Sequence, residues 1–341
     1  MKKLLNILYI TRPDTYLSLD GENIVVLEEK KEAYRLPLHG LEGICCFGYS
    51  GASPALMYAC AKGGIDLSFF KPSGRFLARV TGEVKGNVLL RKQQYRLSEE
   101  PECLPIARNF TIGKLHNSRW VIERALRDHP LRVDGDALGS KIETIKEMIA
   151  QVQQAEDLES LRGFEGVAAK AYFSVFDALI LQQKEDFHFA TRSRRPPLDN
   201  VNALLSFMYA LYAKEIGSSL ESVGLDPYVG FFHRDRPGRM SLALDMLEEL
   251  RPVIDRFVLS LINKREVAGT GFKQAENGAV EMTDATFKTV LAAWQKRKNE
   301  VIEHRFLKEK IPWGLVPFVQ ASLLARYLRG DLAEYVPFLW K

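Results

Sequence analysis

The hydrophobic period of this 341-residue chain changes once, near Asn87, and this change constrains the fold most. Before this point, apolar and polar residues tend to alternate, a pattern typical of β-strands with one buried face. After it, apolar residues recur every three or four positions, a pattern typical of amphipathic helices. Because 341 residues also exceed what one core usually serves, we expect two domains of different class.

The N-terminal part, residues 1–88, is predicted to be a small and mostly antiparallel β domain. Asp20-Gly21 is typical of a tight hairpin turn. One helix is expected after Ser53, a good N-cap that is followed by Pro54, and Gly63-Gly64 should end it. Strand-like runs cover residues 4–10, 23–28, 33–38, 43–47, 65–70 and 75–80.

Residues 89–341 are predicted to form a larger all-α domain, so the expected fold class is two-domain α+β. Pro252 should begin a new helix, because the first helical turn tolerates proline. Residues 191–199 and 267–282 are rich in proline or glycine and predict loops, the second with a weak hairpin as the alternative. Helical periodicity covers residues 87–97, 104–128, 140–154, 157–185, 201–216, 241–250, 252–265, 284–309 and 315–329.

Composition and local signals argue against several kinds of protein. The chain is 46% hydrophobic and 26% charged, as globular proteins commonly are, and no apolar run reaches membrane-spanning length. Residues 1–9 are followed by no signal-peptide cleavage site, which predicts a first strand and a cytoplasmic protein. The net charge of +4 does not by itself indicate nucleic acid. The cysteines Cys45, Cys46, Cys60 and Cys103 form no zinc-binding pattern. Cys45 and Cys46 are adjacent in an apolar run and are expected to be buried thiols.

Candidate chemistry is concentrated in residues 230–252, where a Gly- and Pro-bounded loop carries His233 and a helix follows at once. Asp245 and Glu248 are three residues apart and therefore share a face of that helix. Glu165, flanked by glycine and in small apolar surroundings, is a further carboxylate that is awkward as a solvated residue. An imidazole with oxygen ligands predicts a Mg²⁺ or Mn²⁺ site rather than a zinc site.

Each of these residues also has an ordinary structural explanation, which the local sequence leaves open. His233 could pair with Asp235 inside its loop, and acidic residues such as Glu248 are common on helix surfaces. Glu165 could be an exposed helix glutamate. Competing constellations are weaker, since the sequence has no HExxH motif, no Walker phosphate loop and no serine nucleophile with a base at local spacing.

Arginines cluster in two stretches beside these candidates. Planar guanidinium groups suit phosphodiester contacts, so the clusters favour an anionic substrate, although each arginine alone could serve solubility. Asn202 and Tyr209 follow the first stretch and could orient ligands or phosphates, with helix packing as the alternative for Tyr209. The arginines are Arg192, Arg194, Arg195, Arg234, Arg236, Arg239 and Arg251.

Four motifs, in this order, resemble the CRISPR-associated endonuclease and integrase family, the catalytic subunit of spacer acquisition. They are Leu-Arg-Gly-Phe-Glu-Gly around Glu165, Pro-x-Asp-x-Val-Asn-Ala-Leu-Leu-Ser around Asn202, Gly-Phe-Phe-His ending at His233, and Ser-Leu-Ala-Leu-Asp-x-x-Glu-Glu around Glu248. The resemblance covers essentially the whole chain and agrees with the order of a β domain before an α domain. Residues 36–38 and 51–56 resemble the type I-C branch in particular.

The resemblance implies that Glu165, His233 and Glu248 are catalytic and bind Mg²⁺ or Mn²⁺. It implies Asp245 as an auxiliary acid, and Glu248 is preferred to Glu249 because it shares a face with Asp245. Asn202 and Tyr172 are expected to orient the metal-binding side chains without binding the metal themselves. The arginines expected to contact DNA are Arg194, Arg195, Arg236, Arg239 and Arg251.

The activity implied is DNA strand transfer, in which a 3′-OH of incoming DNA attacks a repeat phosphodiester and inserts a new spacer into the CRISPR array. The implied partners are double-stranded DNA and a second copy of the chain, which would form a homodimer through the β domains. A small ferredoxin-like protein, the second-numbered Cas protein, would complete a hetero-hexamer, and type I-C systems commonly add a Cas4-type nuclease. The alternatives are a nuclease for branched DNA, a non-catalytic DNA-binding scaffold and a phosphohydrolase of small molecules.

Overall fold

The computed structural model describes residues 7–12, 14–41, 43–48, 51–71, 76–80, 82, 88–99 and 101–340. The chain clusters into two compact units. The first comprises Met1–Lys85, Phe287–Ile302 and Ile311–Leu315, and the second comprises Gly86–Thr286, Glu303–Lys310 and Val316–Lys341. The sequence suggested a domain boundary at residue 88. The first unit also includes two segments that follow this residue, Phe287–Ile302 and Ile311–Leu315.

The described residues of the first unit form two four-stranded sheets, with strand orders β1-β5-β7-β8 and β4-β3-β2-β6. Both are mixed, since β1 pairs with β5 and β5 with β7 in parallel, and β2 pairs with β6 in parallel. The prediction of a mostly antiparallel domain is therefore confirmed only in part, because the antiparallel pairs are β2–β3, β3–β4 and β7–β8. The strands are β1 Ile7–Ile10, β2 Thr15–Asp20, β3 Asn23–Glu28, β4 Lys31–Pro37, β5 Gly43–Phe47, β6 Gly51–Ala52, β7 Asp66–Phe70 and β8 Phe76–Val80.

A helix between β5 and β7, α1 (Pro54–Gly63), explains the parallel pairing. The chain needs a crossover of this kind to return and run beside β5 in the same direction. Strand β5 is buried at all five positions, as strands of parallel sheets commonly are. The alternation of residues predicts which face of a strand is buried, but it carries no information about the direction of the neighbouring strand.

Several local predictions in the first unit are confirmed. Strands β2 and β3 form the expected hairpin, and Gly21 has a φ of +58° in its turn. Helix α1 begins after Ser53, whose hydroxyl accepts the amide of Leu56, and ends at Gly64 with a φ of +67°. The four cysteines are buried and unbridged. The turn of the β2–β3 hairpin was predicted, but residues 15–20, which form β2, were not among the predicted strands. Residues 4–6, 75 and 87 of the predicted elements lie outside the described residues.

The second unit is mainly helical. Its helices in the described ranges are α2 Val88–Ser98, α3 Leu104–Asp128, α4 Gly135–Gln153, α5 Leu158–Ser174, α6 Asn200–Ser222, α7 Ser241–Asn263 and α9 Val316–Leu328. Helix α8, Asp284–Asn299, belongs to the first unit from Phe287 onwards. The all-α prediction was wrong in detail, because β9 (Phe272–Gln274) and β10 (Val280–Met282) pair as an antiparallel hairpin. This hairpin is the alternative that the glycine-rich sequence had left open. No helix in the described ranges is both long and apolar enough to cross a membrane.

Two predicted helices are shorter than expected. Helix α8 ends at Asn299, and β11 (Val301–His304) and β12 (Glu309–Pro312) replace the end of the predicted 284–309 helix. The β-branched pair at the start of β11 favours a strand. Helix α5 ends at Ser174, and a short 3₁₀ turn follows.

Helix α7 is longer than expected, because it continues through Pro252. The proline removes one backbone hydrogen bond, the one that the Glu248 carbonyl would accept. The next carbonyl, that of Glu249, accepts a hydrogen bond from the Asn117 side chain of α3 at 2.8 Å. Because α7 is buried along most of its length, packing outweighs the missing bond and the prediction of two helices was wrong.

Gly113 allows α3 and α7 to pack closely, and we expect Gly113→Ala to destabilise the protein by about 1–3 kcal/mol through overpacking. A Cβ at this position would lie 2.8 Å from the Cβ of Glu249 and 3.2 Å from that of Pro337. Urea unfolding followed by circular dichroism would measure the change. The matched control is Gly139→Ala on α4, where a Cβ meets nothing within 4 Å. Gly139→Ala should raise the free energy of unfolding by about 0.5–1 kcal/mol. Equal changes in the two variants would contradict this account.

Candidate active site

His233 lies in a loop that the buried carboxylate of Asp245 holds in place. Asp245 lies near the start of α7, and its Oδ2 accepts the amides of Phe231 and Phe232 at 2.6 and 2.9 Å. Its Oδ1 accepts the amide of His233 at 2.8 Å. Gly230 is required for this approach, because a Cβ there would lie 2.8 Å from Asp245 Oδ2. Three consecutive amides on one carboxylate give the loop a single defined shape.

The same carboxylate orients the His233 ring. Ring atom Nδ1 lies 2.6 Å from Asp245 Oδ1, so the proton of the neutral ring belongs on Nδ1 and Nε2 keeps its lone pair. That nitrogen faces Glu248, with 3.7 Å between Nε2 and Oε1. Asp235, the partner considered from the sequence, accepts the amide of Gly230 at 3.2 Å instead.

Glu165 on α5 and Glu248 on α7 share one cation, the ammonium group of Lys114 on α3. Lys114 Nζ contacts Glu165 Oε1 and lies 2.7 Å from Glu248 Oε2. Arg251 lies 3.0 Å from Glu248 Oε1. Burial raises the pKa of Glu248, but the positive charges of Arg251 and Lys114 outweigh burial and hold that pKa well below its ordinary value. Glu248 is therefore a buried and ionised carboxylate.

The neighbouring acid, Glu249, contacts the C-terminal segment. Its Oε1 accepts the Tyr335 hydroxyl at 2.6 Å, and its Oε2 accepts the amide of Phe338 at 2.8 Å. Burial raises the pKa of Glu249 to about 7. Of the two adjacent glutamates, Glu248 is thus the one that faces His233, as helical spacing had suggested.

A cavity of about 240 Å³ is lined by Lys114, Glu165, His233, Glu248 and Arg251, and its wall also carries Tyr172, Tyr209 and Asp255. Asp255 accepts the hydroxyl of Tyr172 at 3.0 Å and that of Tyr209 as well. The guanidinium groups of Arg192 and Arg251 lie 5.4 and 5.2 Å from the centre of the Tyr209 ring. Tyr172, expected to support the metal ligands, therefore bonds to a different acid of the same cavity.

Asp255→Asn is expected to remove part of the pH dependence of stability. Burial raises the pKa of Asp255 from 3.8 to about 6, although hydrogen bonds from Tyr209 and Tyr172 lower it. The folded protein then binds this proton more tightly than the unfolded chain. Stability from this group is present below pH 3.8 and is lost as the pH rises to about 6, by roughly 3 kcal/mol. Urea unfolding at pH 4 and pH 7 measures how the free energy of unfolding changes with pH. The same change in Asp255→Asn as in the unmodified protein would contradict the raised pKa of Asp255.

The five arginines expected to contact DNA lie in different surroundings. Arg251 is on α7, ion-paired inside the site, and Arg194 lines the cavity from the 191–199 loop. Arg195 and Arg236 are exposed, and Arg239 is half-buried. Two of the five thus reach the cavity, and three lie outside its lining.

Asn202 shapes the loop that carries Arg194. Its Oδ1 accepts hydrogen bonds from Arg192 at 2.6 Å and from the amide of Ser193 at 3.1 Å. The side chain is fully buried. Asn202 therefore acts on the 191–199 loop and not directly on Glu165, Glu248 or His233.

Sequence reasoning missed two residues of this site, Lys114 and Asp255. Lys114 is one of several basic residues on an amphipathic helix, so nothing in its local sequence distinguishes it. Asp255 did have a signal, which the predicted break at Pro252 concealed. On a continuous helix, Glu248, Arg251 and Asp255 follow one another at intervals of three and four residues and share a face.

A divalent metal ion requires several donor atoms at closely defined distances. In the part of the chain that the structure describes, no three His, Cys, Asp or Glu side chains are already spaced to hold a metal ion. The Lys114 ammonium lies between two of the candidate acids. The donor types fit Mg²⁺ or Mn²⁺, since Glu165 and Glu248 contact one cation. His233 Nε2 lies 3.7 Å from Oε1, the other oxygen of Glu248.

Comparisons with known proteins agree with this arrangement of motifs. Residues 8–296 match the family model described as CRISPR associated protein Cas1. The chain is 50% identical to CRISPR-associated endonuclease Cas1 1 of Chlorobaculum tepidum, and the match covers all of both chains. It is 34% identical to a CRISPR-associated exonuclease Cas4/endonuclease Cas1 fusion of Geobacter sulfurreducens, over 97% of this chain and 60% of the fusion.

Two solved structures share the fold. A casposase bound to integration product matches with a TM-score of 0.84 and 22% identity, over 99% of this chain and 95% of the casposase chain. A chain of a Cas6-RT-Cas1–Cas2 complex matches with a TM-score of 0.80 and 21% identity, over all of this chain and 36% of that one. The family match and the full-length identity together show that this chain belongs to the Cas1 family of CRISPR-associated proteins.

Proposed function

We propose that this protein is a metal-dependent DNA integrase and endonuclease that inserts new spacer DNA into a CRISPR array. The observation that carries the proposal is the convergence of Glu165, Glu248 and His233, from three separate segments, on one cavity. Arg194 and Arg251 line the same cavity and suit an anionic substrate. The name of the full-length relative, an endonuclease, supports the same class of reaction.

Glu165, Glu248 and His233 would hold the metal ion. When bound, Mg²⁺ or Mn²⁺ supplies a Lewis acid that neutralises charge on the scissile phosphate. His233 would contribute Nε2, because Asp245 holds its other ring nitrogen. Glu248 would contribute a carboxylate that remains ionised at neutral pH, since its pKa is lowered by its cationic neighbours against the effect of burial.

In the proposed reaction, the 3′-OH of the incoming strand attacks the phosphorus of a repeat phosphodiester. A new P–O bond forms, the bond to the O3′ of the cut strand breaks, and that O3′ takes up a proton. Arg194 would position a backbone phosphate at the cavity, and the exposed Arg195 and Arg236 would extend this contact. Binding is therefore expected to weaken steeply as salt concentration rises.

An assay of the purified protein on supercoiled and branched DNA, with and without Mn²⁺, tests the proposal. Strand transfer or cleavage that needs Mn²⁺ and is lost in Glu165→Gln is the expected result. DNA binding without metal-dependent chemistry would instead support a scaffold. Turnover of nucleotides or small phosphate esters, without activity on DNA, would support a phosphohydrolase and overturn the proposal.

The proposed function also implies an oligomeric state, binding partners and a type of CRISPR system. We infer a cytoplasmic homodimer, formed through the first unit, that binds double-stranded DNA and a small Cas2 protein in a hetero-hexamer. The neighbour in a Cas1–Cas2 complex shares the fold, and a relative is fused to Cas4, which supports a Cas4-type nuclease as a further partner. A type I-C system is the setting that residues 51–56 favour. Size-exclusion chromatography with light scattering, with and without Cas2, would measure the assembly.

A further inference from the structure

The ammonium group of Lys114 occupies the point that the two candidate metal-binding carboxylates share. It contacts Glu165 Oε1 and lies 2.7 Å from Glu248 Oε2. The three side chains are 12%, 20% and 5% exposed in the order Lys114, Glu165 and Glu248. Such a contact, shielded from solvent, is screened little by salt and is much stronger than a surface ion pair.

The position of Lys114 follows from the packing of α3 against α7. Gly113, the preceding residue, is what allows the close approach of these helices. One turn later, Asn117 donates hydrogen bonds to the backbone carbonyls of Glu249 and Phe338, at 2.8 Å each. The backbone that carries Lys114 is thus fixed on both sides, while its four-carbon side chain retains several rotatable bonds.

Charge also favours a cation at this point. Arg251 pairs with Glu248 Oε1, which leaves Oε2 of the same carboxylate and the Glu165 carboxylate for Lys114. Two partly or fully buried carboxylates without a cation between them would repel each other at a cost that burial increases. Either a lysine or a metal ion can remove that repulsion, but both cannot occupy one point.

We propose that Lys114 is a resident counter-cation that Glu165 and Glu248 exchange for the divalent metal ion, so that metal uptake releases the ammonium group. The released ammonium then lies beside the cavity as a free positive charge, and its natural partner is a DNA phosphate. Metal binding and DNA binding therefore favour each other, by the same factor in both directions. This inference rests on the proposed metal-dependent function and adds to it a residue that sets metal affinity.

Calorimetric titration with Mn²⁺ alone tests the exchange. Lys114→Met removes the competing charge with little change in side-chain length, and its affinity for Mn²⁺ should exceed that of the unmodified protein by roughly tenfold or more. Its melting temperature without metal should fall, and the rise on adding Mn²⁺ should be larger. The matched control is Lys170→Met, an exposed lysine on the same helix as Glu165, which should leave Mn²⁺ affinity within about twofold.

A second measurement uses the unmodified protein, in case Lys114→Met does not fold. Lysine acylation with a small reagent, read by mass spectrometry, reports how accessible each ammonium group is. Acylation of Lys114 should be slow without metal and should accelerate several-fold as Mn²⁺ is added, while acylation of Lys170 stays constant. Unchanged acylation of Lys114 over a range in which Mn²⁺ binds would overturn the exchange.

The coupling to DNA gives a third readout. A short duplex should raise the Mn²⁺ affinity of the unmodified protein more than that of Lys114→Met, whose site has no ammonium to release. Failure of this inference and failure of the proposed function are distinguishable. The proposed function is wrong if the unmodified protein does not bind Mn²⁺, or if Glu165→Gln leaves Mn²⁺ binding unchanged. If Mn²⁺ binding depends on Glu165 but Lys114→Met binds Mn²⁺ no more tightly than the unmodified protein, only the role of Lys114 is wrong.

Discussion

His233→Ala is expected to lower Mn²⁺-dependent strand transfer by at least about a hundredfold while the protein stays folded. The ring would supply the nitrogen donor of the proposed metal site, and Nε2 lies 3.7 Å from Glu248 Oε1. The fold should survive, because the loop is held by hydrogen bonds from the backbone amides of residues 231–233 to Asp245, and alanine keeps its amide. Strand transfer on a branched DNA substrate and the melting temperature would be measured on the same preparation.

A matched control for this variant is His188→Ala, which removes an exposed histidine. It should retain normal strand transfer and normal Mn²⁺ affinity, whereas His233→Ala should lose both. Strand transfer at the normal rate by a folded His233→Ala protein would show that the site has been assigned incorrectly.

Asp245→Ala is expected to destabilise the protein by about 3–5 kcal/mol, because three consecutive backbone amides of the loop lose their acceptor at once. The carboxylate is fully buried and accepts the amides of Phe231, Phe232 and His233 at 2.6–2.9 Å. Activity should be lost as well, since the loop no longer holds the imidazole. Urea unfolding measures the stability change, and the histidine ring signals in an NMR spectrum report whether the loop keeps one shape.

Asp245→Asn separates the two effects of this residue. The amide keeps one acceptor oxygen and the volume of the side chain, so its loss of stability should be smaller than that of Asp245→Ala. Its NH₂ group would face backbone amides that are themselves donors, so some of the loop amides would lack a hydrogen-bond acceptor. A loss below about 1 kcal/mol for Asp245→Ala would mean that the loop is held by other contacts. These variants would also show whether Asp245 supports the site only through His233 or acts as the auxiliary acid expected from the sequence.

Local signals in the sequence determined much of the fold and three residues of the candidate site. Helix α3 has the predicted bounds, Leu104–Asp128, because its amphipathic pattern is encoded in consecutive residues. The β2–β3 hairpin and the Ser53 cap are equally local. Glu165 was singled out by its flanking glycine and small apolar surroundings, His233 by its Gly- and Pro-bounded loop, and Glu248 by its helical spacing from Asp245.

Tertiary structure alone decided the rest, because it depends on contacts between segments far apart in the chain. Strand direction follows from the return path of the chain, and α7 passes Pro252 because its burial outweighs one lost hydrogen bond. Lys114 reaches Glu165 and Glu248 only where α3, α5 and α7 pack together, 51 and 134 residues away along the chain. A local pattern predicts which side chains are buried, and the packing of helices decides which charges meet.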